Sequence, residues 1–305
     1  RNALGTQNFT TATDSNNTAV GYYAGATIST GQYNTAIGSE ALKDNTTGAS
    51  NTAIGRMALF ENTTGASNTS VGMNCMLDNT EGNYNTAVGE SALSNDTLGS
   101  TSVAIGRNAL QTQNFTTATN AYNVAMGYSA GGAVTTGIYN TLLGAVAGDA
   151  LTDADGNVAV GTWALSSDTL GSRSTAIGYY ALEAQNFTTA TNSYNTAVGY
   201  EAGKVISTGL QNTLVGGLAG DAITSGGANV AIGYGALGGE DTGNRNVAVG
   251  NLALAVQNYH ATNNNTAIGY GAGTAVTTGT SNTFVGADAG DGTDVGGNNT
   301  AVGYL

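Results

Sequence analysis

Asn-Thr-Ala-Ile-Gly at residues 51–55 returns one unit later as Asn-Thr-Ser-Val-Gly at residues 68–72. Its glycine recurs as 17 anchors from Gly21 to Gly303, and 13 of the 16 intervals between them equal 17, the step from Gly55 to Gly72. Two intervals are 21 and one is 19. A chain held to so short a period cannot build a layered globular core. Each unit is too small to bury a face alone, so it must stack on its neighbours. The 305-residue length then counts units rather than domains, and residues 1–305 read as a single β-solenoid repeat domain.

With the anchor glycine as position one, position four is Ala in nearly every unit, as at Ala24, Ala41 and Ala58. Cys75 takes that place once and reads as a small buried hydrophobe. Positions nine to eleven carry turn residues, as in Thr46-Thr47-Gly48. No window holds a 3.6-residue apolar period with helix caps. The expected fold is therefore all-β, a parallel β-solenoid (a β-roll) of about 17 rungs with 17-residue repeats. Each rung is expected to run strand, bend, short strand, turn.

In such a stack each residue lies about 4.8 Å from its equivalent in the next rung, so every column must suit its own copies. The column of Asn51 is expected to form an amide ladder. The column of Gly55 suits a bend with positive φ. The column of Ile54 is apolar in every rung, and Ala58 and Leu59 belong to the core. Position five alternates between Leu or Met (Leu42, Leu59) and Gly (Gly25, Gly131). Where it is Gly, position eight becomes aliphatic, as at Ile28 and Val134. One aliphatic group thus fills the same volume from either side.

Longer units carry two to four extra residues and begin Gln-Asn-Phe at Gln7, Gln113 and Gln185, with a relative, Gln-Asn-Tyr-His, at Gln257. Insertions in a solenoid map to loops on one face. Phe9, Phe115, Phe187 and Tyr259 are expected to form a row of bumps and are binding candidates, since aromatic side chains are common in binding patches. The tyrosines that follow the anchor glycine, among them Tyr128 and Tyr200, are candidates for a saccharide-binding stripe.

Gly-rich and Pro-free, the chain has only 9% charged residues and a net charge of −13. That balance opposes nucleic-acid binding and attachment to anionic membranes. No apolar run approaches the length of a membrane span. One Cys and one His, Cys75 and His260, cannot assemble a Zn site of the usual kind. No nucleophile motif surrounds His260. Asp153 and Asp155, in Thr-Asp-Ala-Asp-Gly-Asn, are weak calcium candidates that lack the full ligand spacing. The expected set is no enzyme, no cofactor and no metal.

Asn-Thr-Ala-Ile-Gly-Ser-Glu-Ala-Leu (34–42), Asn-Thr-Ala-Val-Gly-Glu-Ser-Ala-Leu (85–93) and Asn-Val-Ala-Ile-Gly-Tyr-Gly-Ala-Leu (229–237) resemble the head repeats of trimeric autotransporter adhesins. They are similar also to the repeats of phage tail fibres and of proteins ending in an endosialidase-type chaperone domain. The resemblance implies a left-handed β-roll, a homotrimer, and display on a cell or virion surface. The adhesin head repeat is typically shorter than the unit found here, a departure that bears on the trimer.

The pentapeptides carry no charge, and two columns of each, Ala and Ile, are apolar on opposite faces. Only one face can look into the roll. The other is expected to pack against copies of the chain. Neither end shows a polar capping unit, so further chain or another subunit is expected to cover both. The functional expectation is an extracellular structural fibre or adhesin segment whose partner is itself, with a cell-surface glycan or receptor as a further candidate partner. The alternatives are a virion tail-fibre segment that binds a glycan or receptor and, more distantly, an ice-binding solenoid. The last would use the Thr column (Thr18, Thr35, Thr52), which Val103, Val124, Val158, Val230 and Val247 interrupt.

Overall fold

The computed structural model describes residues 3–9 and 12–304. The chain divides into two compact units, Arg1–Asp155 and Gly156–Leu305. Each is a parallel β-solenoid. The first holds eight three-residue strands, from Thr18–Val20 to Thr141–Leu143. The second holds nine, from Val158–Val160 to Thr300–Val302. Strands pair in register with the strand one rung away: Thr52 opposes Thr69, Ala53 opposes Ser70 and Ile54 opposes Val71. A long unit does not shift the register, since Val103 opposes Val124 across the insertion that follows Gln113.

The rung from Asn51 to Ser67 shows how the contour closes. Thr52–Ile54 is extended, and Gly55 follows at φ 134°. A Cβ there would lie 2.4 Å from the carbonyl oxygen of Gly72, so stacking leaves the column no room for a side chain. Met57, Leu59 and Ser67 then take φ of 56°, 53° and 60°. Among the described residues 40 non-glycine positions share the left-handed region. At about 1–2 kcal/mol each, that strain persists only because the stack offsets it.

Among the described residues the expected second strand of each rung is mostly absent. It forms between Gly99–Ser100 and Thr119–Asn120 and between Gly171–Ser172 and Thr191–Asn192. Elsewhere the left-handed residues interrupt the extended backbone every second position. The main chain still bonds from rung to rung: Leu59 N–H donates to Cys75 O at 3.0 Å and Glu61 N–H to Leu77 O at 3.0 Å. Backbone satisfaction therefore extends well beyond the strands.

The core is narrow. Ala53, Ala58 and Leu59 are fully buried, with Cys75 and Met76 as the equivalents of the last two in the next rung. The exchange between positions five and eight holds in detail. A Cβ on Gly148 would lie 2.9 Å from Leu151 Cδ1, and one on Gly220 would lie 2.8 Å from Ile223 Cδ1. Larger residues enter the Ala column only beside paired glycines. Leu142 occupies the space beside Gly131 and Gly148, and Phe284 the space beside Gly273 and Gly290.

The Asn column is also buried, but it is not a simple amide ladder. Asn51 Oδ1 accepts from the backbone N–H of Asn68 at 3.0 Å, and its Nδ2 donates to Gly65 O at 2.8 Å. The rise per rung brings the main-chain amide to Oδ1, and in places the next side-chain amide as well: Asn212 Nδ2 donates to Asn195 Oδ1 at 3.2 Å and Asn299 Nδ2 to Asn282 Oδ1 at 3.0 Å. An amide ladder does run at position eight: Asn62 Nδ2 donates to Asn45 Oδ1 at 2.6 Å, and Asn79 Nδ2 to Asn62 Oδ1 at 2.8 Å.

Candidate binding surface

Alternation along each strand decides which apolar column faces water. Ala53 is fully buried, while its neighbour Ile54 is 38% exposed. The same holds at Ile37, Val88, Ile177, Ile232 and Ile268, all exposed beside buried alanines. Thr52 and most of its equivalents stand on the outward side half-buried, and Thr18, Thr283 and Thr300 are exposed. Each unit thus presents a flat outward strip of Thr or Val beside Ile, Val or Met, with no charge in the strands.

The loop aromatics behave differently from one another. Phe115 and Phe187 are 5% and 6% exposed, so they do not stand out as bumps. A Cβ on Gly171 would lie 2.7 Å from Phe187 Cδ2, which places that ring over the turn of the preceding rung. Apolar area returns to the core wherever the loop is long enough to fold back. Phe9 is half-buried. Tyr259 is exposed, and beside it His260 Nδ1 lies 3.0 Å from Asp241 Oδ1.

Beneath the Gln-Asn-Phe loops at Gln113 and Gln185 lies a buried carboxylate that sequence reasoning missed. Gln113 Nε2 donates to Asp96 Oδ2 at 2.5 Å and to Ser102 Oγ at 3.0 Å. Asp96 Oδ1 accepts from Gly99 N–H at 3.0 Å and from Phe115 N–H at 3.3 Å. Asn123 closes the network by donating to Gln113 Oε1 at 2.9 Å. Asp168, Gln185, Ser174, Gly171, Phe187 and Asn195 repeat the same pattern in the second unit. Glu240 and Gln257 give a longer-armed version, with Asn263 donating to Glu240 Oε2 at 2.6 Å. Burial pushes the Asp96 and Asp168 carboxyls above the ordinary range, against the lowering effect of their N–H donors. These groups lie beneath the loops and hold them in place.

Tyr128 and Tyr200 are exposed, as the sequence suggests. The column stacks where tyrosines fall in successive rungs: Tyr179 and Tyr200 lie 5.9 Å apart with planes 11° from parallel. Trp163 and Tyr180, one position further along, also stack, at 6.3 Å. Asp153 and Asp155 are each engaged by the preceding rung. Asp153 accepts from Thr136 Oγ1 at 2.6 Å, and Asp155 accepts from Ile138 N–H at 2.8 Å. Among the described residues no three His, Cys, Asp or Glu side chains group as a metal site requires. No helix there is long and apolar enough to cross a membrane.

No family model matches the chain, and no curated protein matches it. The surfaces themselves therefore carry the functional reading. Apart from the strip and the tyrosine column, one concavity stands out in the second unit. It is a cleft of about 470 Å³ lined by Leu252, Val256, Tyr270, Thr274, Asp288 and Asp291.

Proposed function

We propose that this chain is a non-catalytic structural fibre segment that assembles with copies of itself through the outward Thr–Ile strip. The observation that carries the reading is the inside–outside split between Ala53 and Ile54, repeated from rung to rung. An uncharged apolar strip of this regularity exceeds the scattered surface hydrophobics normal for soluble monomers. A second copy suits it because both surfaces repeat at the same rung spacing of about 4.8 Å. Closed symmetric assembly is the usual outcome for identical chains.

Three chains around an axis is the arrangement we favour, on the resemblance of the repeats to trimeric autotransporter head repeats. The same resemblance supports a left-handed roll and display outside a cell or on a virion. The test is light scattering on the full chain. A particle of three times the chain mass of 30.2 kDa is expected. Ile54→Asp combined with Val88→Asp should return it to the single-chain mass with its circular dichroism unchanged, because both side chains point outward. A wild-type particle of single-chain mass at micromolar concentration overturns the proposal.

A further inference from the structure

We infer that the cleft between Leu252 and Asp291 binds a neutral saccharide, with Tyr270 as the stacking platform and Asp288 and Asp291 as hydroxyl acceptors. Tyr270 is 61% exposed and forms one wall. Leu252 and Val256 supply apolar surface, and the half-buried Thr274 and Asp288 supply polar atoms. A pyranose ring has the matching character. Its C–H face packs on an aromatic or aliphatic surface, while its rim of hydroxyls needs acceptors. A few convergent polar groups in a largely apolar concavity are what small-ligand sites present.

The cleft is shaped by the absence of side chains. Gly271 takes φ 61°, and a Cβ there would lie 2.3 Å from Asp288 Oδ1. The carboxylate therefore occupies the place that a side chain at residue 271 would fill. Tyr270 O accepts from Asp288 N–H at 2.7 Å, which fixes the ring's residue against the residue of the carboxylate. Neither Asp288 nor Asp291 forms a salt bridge among the described residues.

A protonated amine would also suit an aromatic ring beside two carboxylates. The tyrosine column favours a chain of rings instead. From Gly199 onward the residue after the anchor glycine reads Tyr200, Gly217, Tyr234, Asn251, Tyr270, Ala287, Tyr304. All four tyrosines are exposed. They recur at every second rung, a pitch of about 9.6 Å from rungs of 4.8 Å. The near-parallel rings of Tyr179 and Tyr200 show that faces in this column address the next rung along the axis. A regular set of platforms suits a polymer of flat rings, and a single amine uses only one. The net charge of −13 selects against sialylated or sulfated chains.

No residue of the cleft belongs to a three-residue strand, so the test does not depend on how many chains assemble. The full-length chain is titrated calorimetrically with cellotetraose, maltotetraose and chitotetraose, and in parallel with sialyllactose and spermidine. Saturable binding of at least one neutral tetrasaccharide is expected. Tyr270→Ala should weaken it about tenfold or more, the scale of losing an aromatic anchor. Tyr270→Phe should retain it. Tyr84→Ala, an exposed tyrosine in the other unit, should leave it unchanged. Absence of saturable binding by all three neutral sugars overturns the inference. So does binding that is indifferent to Tyr270→Ala, or binding of spermidine or sialyllactose in their place.

Discussion

Gln113 reaches across one rung to donate a hydrogen bond to Asp96 at 2.5 Å, and neither side chain is exposed to solvent. The pair is directional. Asp96 accepts at both oxygens, while Gln113 donates downward and accepts from Asn123. Asp96→Asn keeps an acceptor for Gly99 N–H and Phe115 N–H but sets one amide donor against another. A loss of about 1–3 kcal/mol is expected in chemical denaturation. Adding Gln113→Glu reverses the polarity of the pair and should recover much of that loss. A double variant no more stable than the single would show that the pairing does not govern stability here.

Acid should stabilise this protein relative to neutral pH. Burial raises the carboxyls of Asp96 and Asp168 and also those of the half-buried Asp78, Asp149 and Asp221. A carboxyl whose folded pKa lies above its unfolded value binds its proton more readily in the folded state. Its stabilising contribution is full below the unfolded value and is lost as pH rises through the folded one. Glu201 is shifted the other way, first by the hydrogen bond from Tyr200, but it is a single half-buried group against five carboxyls shifted up. The thermal midpoint should therefore rise from neutral pH to about pH 4, near the ordinary Asp value. Melts followed by circular dichroism at constant ionic strength would show it, and a falling midpoint would contradict the assignment.

Ala228→Gly should stabilise. Ala228 is exposed at φ 56°, and Gly156 takes the equivalent place in another rung at φ 66°. Removing the methyl relieves left-handed strain but adds freedom to the unfolded chain. The balance favours the variant by about 1 kcal/mol or less. Most alanine-to-glycine changes act in the opposite direction, so the sign measured in urea is diagnostic.

Cys75 should be inert in the native protein. Its thiol is buried in the column of Ala58, and Sγ donates to Ala87 O at 3.3 Å. Burial pushes its pKa up to about 11, against hydrogen bonds from Ser70 and Val71 that lower it. The thiolate is the reactive form, so iodoacetamide should label the thiol only after unfolding. Rapid labelling of the folded chain is the outcome that would refute this.

The fold was legible because so short and constant a period admits few alternatives, and the anchor glycines mark every rung. The number of strands was not. Met57 and Leu59 carry no turn chemistry, yet both are left-handed because the stack imposes that geometry. The facing of the strand was readable in principle. Leu142, Leu214 and Phe284 enlarge the Ala column only where position five is Gly in that rung and the one before, as at Gly203 and Gly220 beside Leu214. That compensation marks the inside. The buried carboxylates look like surface polar residues in a column of asparagines. Their spacing was the clue, since Asp96, Asp168 and Glu240 each precede a loop glutamine by one full repeat unit. The cleft was not legible, because Leu252, Tyr270 and Asp288 come from successive rungs and share no local motif.

The carboxylate–glutamine pairing also limits how such a chain can change its length. Deleting one rung among Asn45, Asn62 and Asn79 joins like to like, because each donates the same amide to the same acceptor. Deleting the rung that holds Asp96 would set Gln113 over an asparagine, one amide donor against another, and would take the carboxylate from Phe115 N–H. Asp96, Asp168 and Glu240 follow one another at equal steps, four rungs at a time. Blocks of that size can be gained or lost with the carboxylate–glutamine pairing intact. The four-rung cassette, rather than the single rung, is thus the interchangeable part wherever a long loop is included.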